Sequence, residues 1–158
     1  MATTQTTRIG LISDTHGLMR DEAVAALKGC QHILHAGDID EPEVLVKLRK
    51  LAPVTVVRGN NDRGAWARAI PVYDVVEFGT VSVYLRHDEL ELDIDPRAAG
   101  FQVMLFGHPH QPRVETHDGV LFVNPGSAGP RRFKLPVAVG ELLISGNQVD
   151  ARIIELSV

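Results

Sequence analysis

Five apolar runs in this chain each end on side chains able to bind a cation: SDTHG at 13–17, AGDID at 36–40, RGNND at 58–62, LRHDE at 85–89 and FGHPH at 106–110. A short apolar run closed by a polar turn is the pattern of a buried strand. The fold must therefore bring several strand ends to one edge, where polar loops can converge. Open sheets with helical crossovers place their sites at such edges.

The runs between these junctions say which layers are available. RIGLIS (8–13) reads as a strand, DEAVAALKG (21–29) as a helix with acids at its start and Gly29 at its end, and HILHAGD (32–38) as a second strand. EPEVLVKLRKL (41–51) is a helix with Pro42 in its first turn, and VTVVRGNND (54–62) is a strand running into a polar loop. After Pro71 the chain turns to β: VYDVVEF and VSVYLRH flank a tight Gly79-Thr80 turn, and QVMLFGH, PRVETH, VLFVN, AVGELLIS and QVDARIIEL follow. The stretch between Asp88 and Gly100 shows no clear period. Alternating βα units followed by hairpins imply an α/β protein, a two-sheet β-sandwich flanked by helices.

Length and composition leave room for one domain over residues 1–158, with no repeat, low-complexity tract or linker dividing it. A chain of this size hides about 70% of its unfolded surface, so its core needs no covalent staple. Cys30 is the only cysteine and is expected to be a packed thiol. It excludes an internal disulfide and a thiolate cluster, and suits a reducing cytoplasm. Any metal must use N and O ligands. The start, MATTQTTR, is polar, and no apolar run approaches the length of a membrane span, so neither a signal peptide nor membrane insertion is expected. A net charge of -4 argues against a broad nucleic-acid footprint, so anion binding must be local.

Imidazole, carboxylate and amide oxygen together suit Mn, Fe, Ni or Zn better than an all-oxygen calcium cage. Two such ions about 3.5–4 Å apart can share a carboxylate, generate hydroxide near neutral pH and clamp a phosphoryl group. Phosphate ester hydrolysis is the natural use.

The ordered set Asp14-x-His16, Gly37-Asp38, Gly59-Asn60, His87 and Gly107-His108-x-His110, with NPGS at Asn124–Ser127, resembles the calcineurin-like metallophosphoesterases, especially the small phosphodiesterases without a cap domain. The resemblance implies their four-layer αββα fold. It also implies that Asp14, His16, Asp38 and His110 hold one divalent ion while Asp38, Asn60, His87 and His108 hold the other, with Asp38 as the bridge. Mn²⁺ is the leading metal, with Ni²⁺, Fe²⁺ or Zn²⁺ open. Asp38 and Asn60 would carry the catalytic role, and a hydroxide between the ions would attack. Two carboxylates against two divalent cations leave a local charge of about +2, which attracts phosphate despite the acidic chain. NPGS reads as a turn beside the metals.

Arg58, Arg63, Arg113, Arg131 and Arg132 lie near these loops in sequence, and Arg63 beside GNND is the first candidate for a forked phosphate contact. Three positions depart from the family's usual pattern. Asn61 stands where many members have a histidine that helps the leaving oxygen, and it can donate a hydrogen bond but no proton. Asp88 replaces a glycine after His87, and Pro109 replaces a threonine between the last two histidines. Asn61 and Arg63 are thus the expected substrate contacts, with activated aryl diesters favoured over alkyl ones. His32, His35 and His117 match no motif position and are expected to be structural, His35 being placed to orient a neighbouring loop.

The expected activity is hydrolysis of a small phosphate ester, most naturally a diester, with a homo-oligomer compatible with it. A protein-binding scaffold that has lost catalysis is the alternative. A nuclease shares the chemistry, but no basic patch serves a polymer.

Overall fold

The computed structural model describes residues 5–158. The first four residues of the polar MATT start, and with them part of the expectation that no leader is present, lie outside the described residues. No helix among those described is long and apolar enough to cross a membrane.

Strand β1 (Thr7–Ile12) is followed by helix α1 (Asp21–Leu27), β2 (His32–His35), α2 (Pro42–Arg49) and β3 (Val54–Val56). These three strands pair in parallel, β1 with β2 and β2 with β3, so all three end at the same edge. Asp21 and Glu22 lie in the first turn of α1, where carboxylates oppose the positive helix end. Pro42 opens α2, where its missing N–H would have had no helical partner. A single turn, α3 (Ala65–Arg68), follows GNND where the sequence suggested only a loop.

The β-rich half supplies β4 (Tyr73–Phe78), β5 (Val81–Arg86), β6 (Val103–Leu105), β7 (Arg113–His117), β8 (Val120–Asn124), β9 (Ala138–Ser145) and β10 (Gln148–Glu155). They do not all join one sheet. The second sheet runs β4-β5-β6-β8-β7, whereas β9 and β10 return to the first, which runs β10-β9-β1-β2-β3. Strands β5, β6 and β8 are mutually parallel, so their ends also share an edge.

Alternation along the strands builds two interiors. Ile9 and Leu11 of β1 face Val83, Leu85, Val103 and Leu105 of the opposite sheet, while Ile12 turns to the other side and packs with Leu27, Val44 and Leu48 of the helices. Side chains two apart share a face, so one strand serves both layers. The outer face of the second sheet buries Tyr84, Met104 and Phe106 beneath Leu92 and Phe101. Among the described residues its cover contains one 3₁₀ turn (Glu89–Glu91) in place of a full helix, so the fourth layer is thin.

Candidate metal centre

All five junctions meet at the shared edge of the two sheets. Asp14 and His16 follow β1, Asp38 follows β2, Asn60 and Asn61 follow β3, His87 follows β5, and His108 and His110 follow β6. Two groups of ligand atoms form, each within 4.8 Å: Asp14, His16 and His110 in one, Asp38, His87 and His108 in the other. The structure thus brings six of the seven candidate ligands together in two clusters, and Asn60 stands in neither.

The backbone reveals how much is spent on aiming these side chains. Of eight non-glycine residues with positive φ among the described residues, six are Asp14, His16, Asp38, Asp40, His108 and His110. That left-handed conformation is uncommon for side chains with a Cβ and collects at functional sites. Two glycines give the loops room to close. A Cβ at Gly37 would lie 2.8 Å from His87 Nδ1, and one at Gly107 would lie 2.8 Å from Asp14 Oδ2.

Imidazole orientation is set by what the far ring nitrogen donates to. His87 Nδ1 donates to the Ala36 carbonyl at 2.8 Å, so Nε2 keeps its lone pair for the centre. His16 Nδ1 lies 3.0 Å from the Asp40 carboxylate, which fixes its ring in the same sense. The lone-pair ends then crowd together: His16 Nε2 is 3.2 Å from His110 Nε2, and His87 Nε2 is 3.3 Å from His108 Nδ1.

The donor set fits divalent cations. Asp14 Oδ1 is buried without a hydrogen-bond partner, yet three imidazoles face it, His110 at 3.3 Å, His87 at 3.8 Å and His16 at 3.9 Å. An orphaned carboxylate oxygen in the interior is costly, and a cation among these nitrogens satisfies it. Asp38 Oδ2 lies 3.2 Å from His87 Nε2 and 3.9 Å from His16 Nε2, so one carboxylate reaches both groups. Burial pushes the Asp14 and Asp38 carboxyls up, but the facing imidazoles, His110 for Asp14 and His87 for Asp38 foremost, bring both below the usual range. Burial lowers His87 in turn, and the facing carboxylates of Asp38 and Asp14 raise it overall. Each carboxylate is therefore held ionised, ready for a cation.

Two residues that sequence reasoning passed over do much of the bracing. Asp62 is buried and accepts four backbone N–H bonds, from Asp38 (3.0 Å), Ile39 (2.8 Å), Asp40 (2.8 Å) and Gly59 (2.9 Å), thereby tying the β2 loop to the β3 loop. Burial nevertheless leaves its carboxyl above the usual range. Asp40 orients His16. The acid closing GNND and the D-x-D spacing of Asp38 and Asp40 were the available signals.

His35, expected to orient a loop, does so: its Nε2 lies 3.0 Å from Thr15 Oγ1 and its Nδ1 accepts the Gly37 N–H at 3.0 Å. Complete burial drives it down to about 3, so the ring is neutral. NPGS also braces the site, since Ser127 Oγ donates to the Asp14 carbonyl (3.0 Å) and Asn124 Nδ2 to the Gly107 carbonyl (2.9 Å).

The remaining candidates sit at the rim. Asn60 is exposed beside His87 and Arg58 in a cleft of about 380 Å³. The Asn61 N–H donates to Asp38 Oδ1 at 2.9 Å, with its Nδ2 3.5 Å from Oδ2. Arg63 is exposed. Arg113 is held by Glu89 at 2.5 Å and Glu115 at 3.0 Å, so its charge is already matched, and Arg131 donates to the backbone oxygen of Val158 at 3.4 Å. Asp88 does not enter the metal groups, because its carboxylate caps the 3₁₀ turn by accepting the Leu90 N–H at 3.0 Å.

A two-sheet α/β sandwich with Asp and His groups at its shared edge defines a metal-binding phosphoesterase domain. The chain belongs to the calcineurin-like phosphoesterase superfamily, whose domain profile matches residues 7–145. It is 38% identical over 157 residues to a probable metallophosphoesterase of Methanothermobacter thermautotrophicus, covering 92% of this chain and 91% of that one. Its fold is shared by vacuolar protein sorting 29 of Cryptosporidium parvum, with a TM-score of 0.82 at 22% identity over 96% of this chain and 92% of that one. An archaeal phosphodiesterase gives a TM-score of 0.78 at 22% identity over 94% of this chain and 100% of that one. This chain covers 91% or more of each of these three proteins.

Proposed function

We propose that this chain is a phosphodiesterase using two divalent ions, Mn²⁺ foremost and Ni²⁺, Fe²⁺ or Zn²⁺ as alternatives, and acting on small or activated diesters. The observation that carries the reading is Asp38 Oδ2, which lies between His87 Nε2 at 3.2 Å and His16 Nε2 at 3.9 Å and so supports a shared carboxylate. Asp14, His16, Asp38 and His110 would hold one ion, and Asp38, Asn60, His87 and His108 the other. When bound, such ions supply charge against phosphoryl oxygens and acidify a water.

The chain's own groups position the reaction. Asp62 fixes the backbone on which Asp38 and Gly59 sit, while Asp40 and Ala36 O fix the rings of His16 and His87. Asn61, anchored to Asp38 through its N–H, offers an amide donor to the leaving oxygen but no proton. Arg63 is the proposed solvent-side contact to phosphate oxygens. Good leaving groups are therefore favoured, and a rate independent of leaving-group pKa under chemical limitation overturns this role for Asn61.

A protein-docking scaffold is the second reading, favoured by the loss of a proton donor at Asn61 and by Phe133, which is 88% exposed. Metal analysis after metal-free reconstitution, followed by aryl diester and monoester assays, separates the two. The parent is expected to bind two ions per chain and hydrolyse diesters. Asp38→Asn should lose an ion and at least about a hundredfold in rate. Two tightly held ions with no turnover favour the scaffold, and unchanged metal and rate in Asp38→Asn remove the bridge. The sole cysteine supports the cytoplasm as the proposed compartment.

A further inference from the structure

A diester has two substituents, and two clefts border the His87–His108 pair, one lined by His87 and the other by His108. The smaller carries Arg58, Arg86 and Asn60. The larger, about 550 Å³, starts at Gly107 and His108 and has apolar walls made by Leu90, Pro109, Pro112 and Val114. That volume lies within the usual range for small-molecule sites.

Three features of the larger cleft restrict its occupant. Leu90 is 91% exposed, so its isobutyl group lines the opening with almost no protein packed on it. Its position is fixed all the same, because the Asp88 side chain caps the short turn that carries it. The charged lining comprises Asp88, Glu89 and Glu115 against Arg113, three negative and one positive, a net of -2. Arg113 is bound by both glutamates and lies over the Phe122 ring at 5.7 Å, so it is not free to receive an anion.

We infer that this cleft seats the ester substituent of the diester that carries an apolar body without negative charge, with Leu90 as a specificity-determining contact. The inference rests on the phosphodiesterase reading and deepens it. An aryl or cationic substituent gains contact with Leu90, Pro109 and Val114. A carboxylate or second phosphate there meets the unbalanced acids and is rejected. The centre attracts one phosphate while the adjoining cleft turns away another, which selects simple diesters over polyphosphates.

The test compares three p-nitrophenyl diesters with a common leaving group, whose second substituent is methyl, phenyl or 4-carboxyphenyl, on the metal-reconstituted full chain. The phenyl ester should exceed the methyl ester by about tenfold in kcat/KM, mainly through KM, and the 4-carboxyphenyl ester should fall about tenfold below the phenyl ester. Leu90→Ser should reduce the phenyl-to-methyl ratio to about twofold, and the Glu89→Gln, Glu115→Gln double variant should narrow the penalty on carboxylate. A readout independent of turnover is the Leu90 methyl resonance, which should shift with diphenylphosphinate, a non-hydrolysable diester analogue, and not with dimethylphosphinate. Turnover of all three diesters at equal efficiency, with no shift at Leu90, overturns the cleft's role and leaves the phosphodiesterase reading standing. Turnover of none overturns that reading and the cleft with it.

Discussion

The loops of the first sheet and those of the second contribute to one centre, but they are held in different ways. The β1 and β2 loops are stitched together by Asp14 N–H to Gly37 O (2.9 Å), His16 N–H to Asp38 O (3.0 Å) and Gly17 N–H to Ile39 O (2.8 Å), and Asp62 ties them to the β3 loop. The second sheet's loops have fewer bonds among themselves: Gly107 N–H to His87 O at 3.0 Å, and the Asn124 brace. Their placement borrows from the first sheet, through His87 on Ala36 O and through the His108 N–H on Asp14 Oδ2 at 3.2 Å. One half is self-braced and the other is docked onto it. Order in the second half therefore depends on the sandwich core between Ile9, Leu11, Leu85 and Leu105.

The largest test of this asymmetry removes its hub. Asp62→Ala strands three buried N–H groups and one half-buried one, and at 1–3 kcal/mol for each unsatisfied donor, less for those that find water, the loss should be about 4 kcal/mol. Thermal unfolding of the metal-free chain should show a Tm roughly 10 °C lower. Asp62→Asn keeps one carbonyl oxygen and should lose about half as much. If Asp62→Ala costs no more than Asn124→Ala on the other side, the distinction between the braced and docked halves disappears.

Two buried histidines give the halves opposite pH signs. His35 in the first sheet is neutral, with a folded value of about 3 against 6.5 when unfolded. Between those values the unfolded chain binds the extra proton, so this contribution is complete above 6.5 and is lost as pH falls. At pH 4.5 the loss should be about 3 kcal/mol. His87, raised above 6.5, contributes stability that is complete below 6.5 and is lost as pH rises through its folded value. Asp14 and Asp38, lowered from 3.8, act only in the more acid range, so the window from 6.5 to 4.5 belongs mainly to His35, with His32, also lowered from 6.5 by burial, acting in the same direction. Denaturant unfolding of the metal-free chain should steepen in that window for the parent and flatten for His35→Gln. An unchanged slope would show that the ring is protonated in place.

A smaller pair of changes compares the braces directly. Ser127→Ala removes the bond to the Asp14 carbonyl and the acceptor for the Gly129 N–H at 3.2 Å, a loss of about 1–2 kcal/mol. Asn124→Ala removes the support of Gly107 and should cost a similar amount. Their metal effects should differ: Ser127→Ala weakens the Asp14, His16 and His110 group, and Asn124→Ala the Asp38, His87 and His108 group. Titration of metal-free protein with Mn²⁺, read as two successive affinities, checks which step moves.

Much of this arrangement was legible in the chain, and what was not has physical reasons. The ligands stood out because Asp, Asn and His, ordinary at any single strand end, closed five apolar strands in order. The return of β9 to pair with β1 was not legible. Gly10 opposite Glu141 is a pairing between distant segments, and nothing local in AVGELLIS tells which sheet it completes. The turn α3 was too short to show a period. Asp40 and Asp62 escaped notice because they act on a ring nitrogen and on backbone N–H groups, functions that leave no spacing rule. Left-handed φ at Asp14, His16, Asp38, His108 and His110 was equally hidden, since such positions are normally signalled by glycine.

Arg63 tests where the braced half stops. It follows Asp62 directly, yet it is exposed and borders neither cleft, so its neighbour's rigidity does not extend to its side chain. Arg63→Ala should change stability by less than about 0.5 kcal/mol. A flexible guanidinium that reaches phosphate only from solvent gives screened, uniform binding, so KM should rise about threefold with kcat unchanged. The effect should shrink further in high salt. A fall in kcat with KM unchanged would mean that Arg63 is ordered in the transition state, and would extend the braced half to the rim of the centre.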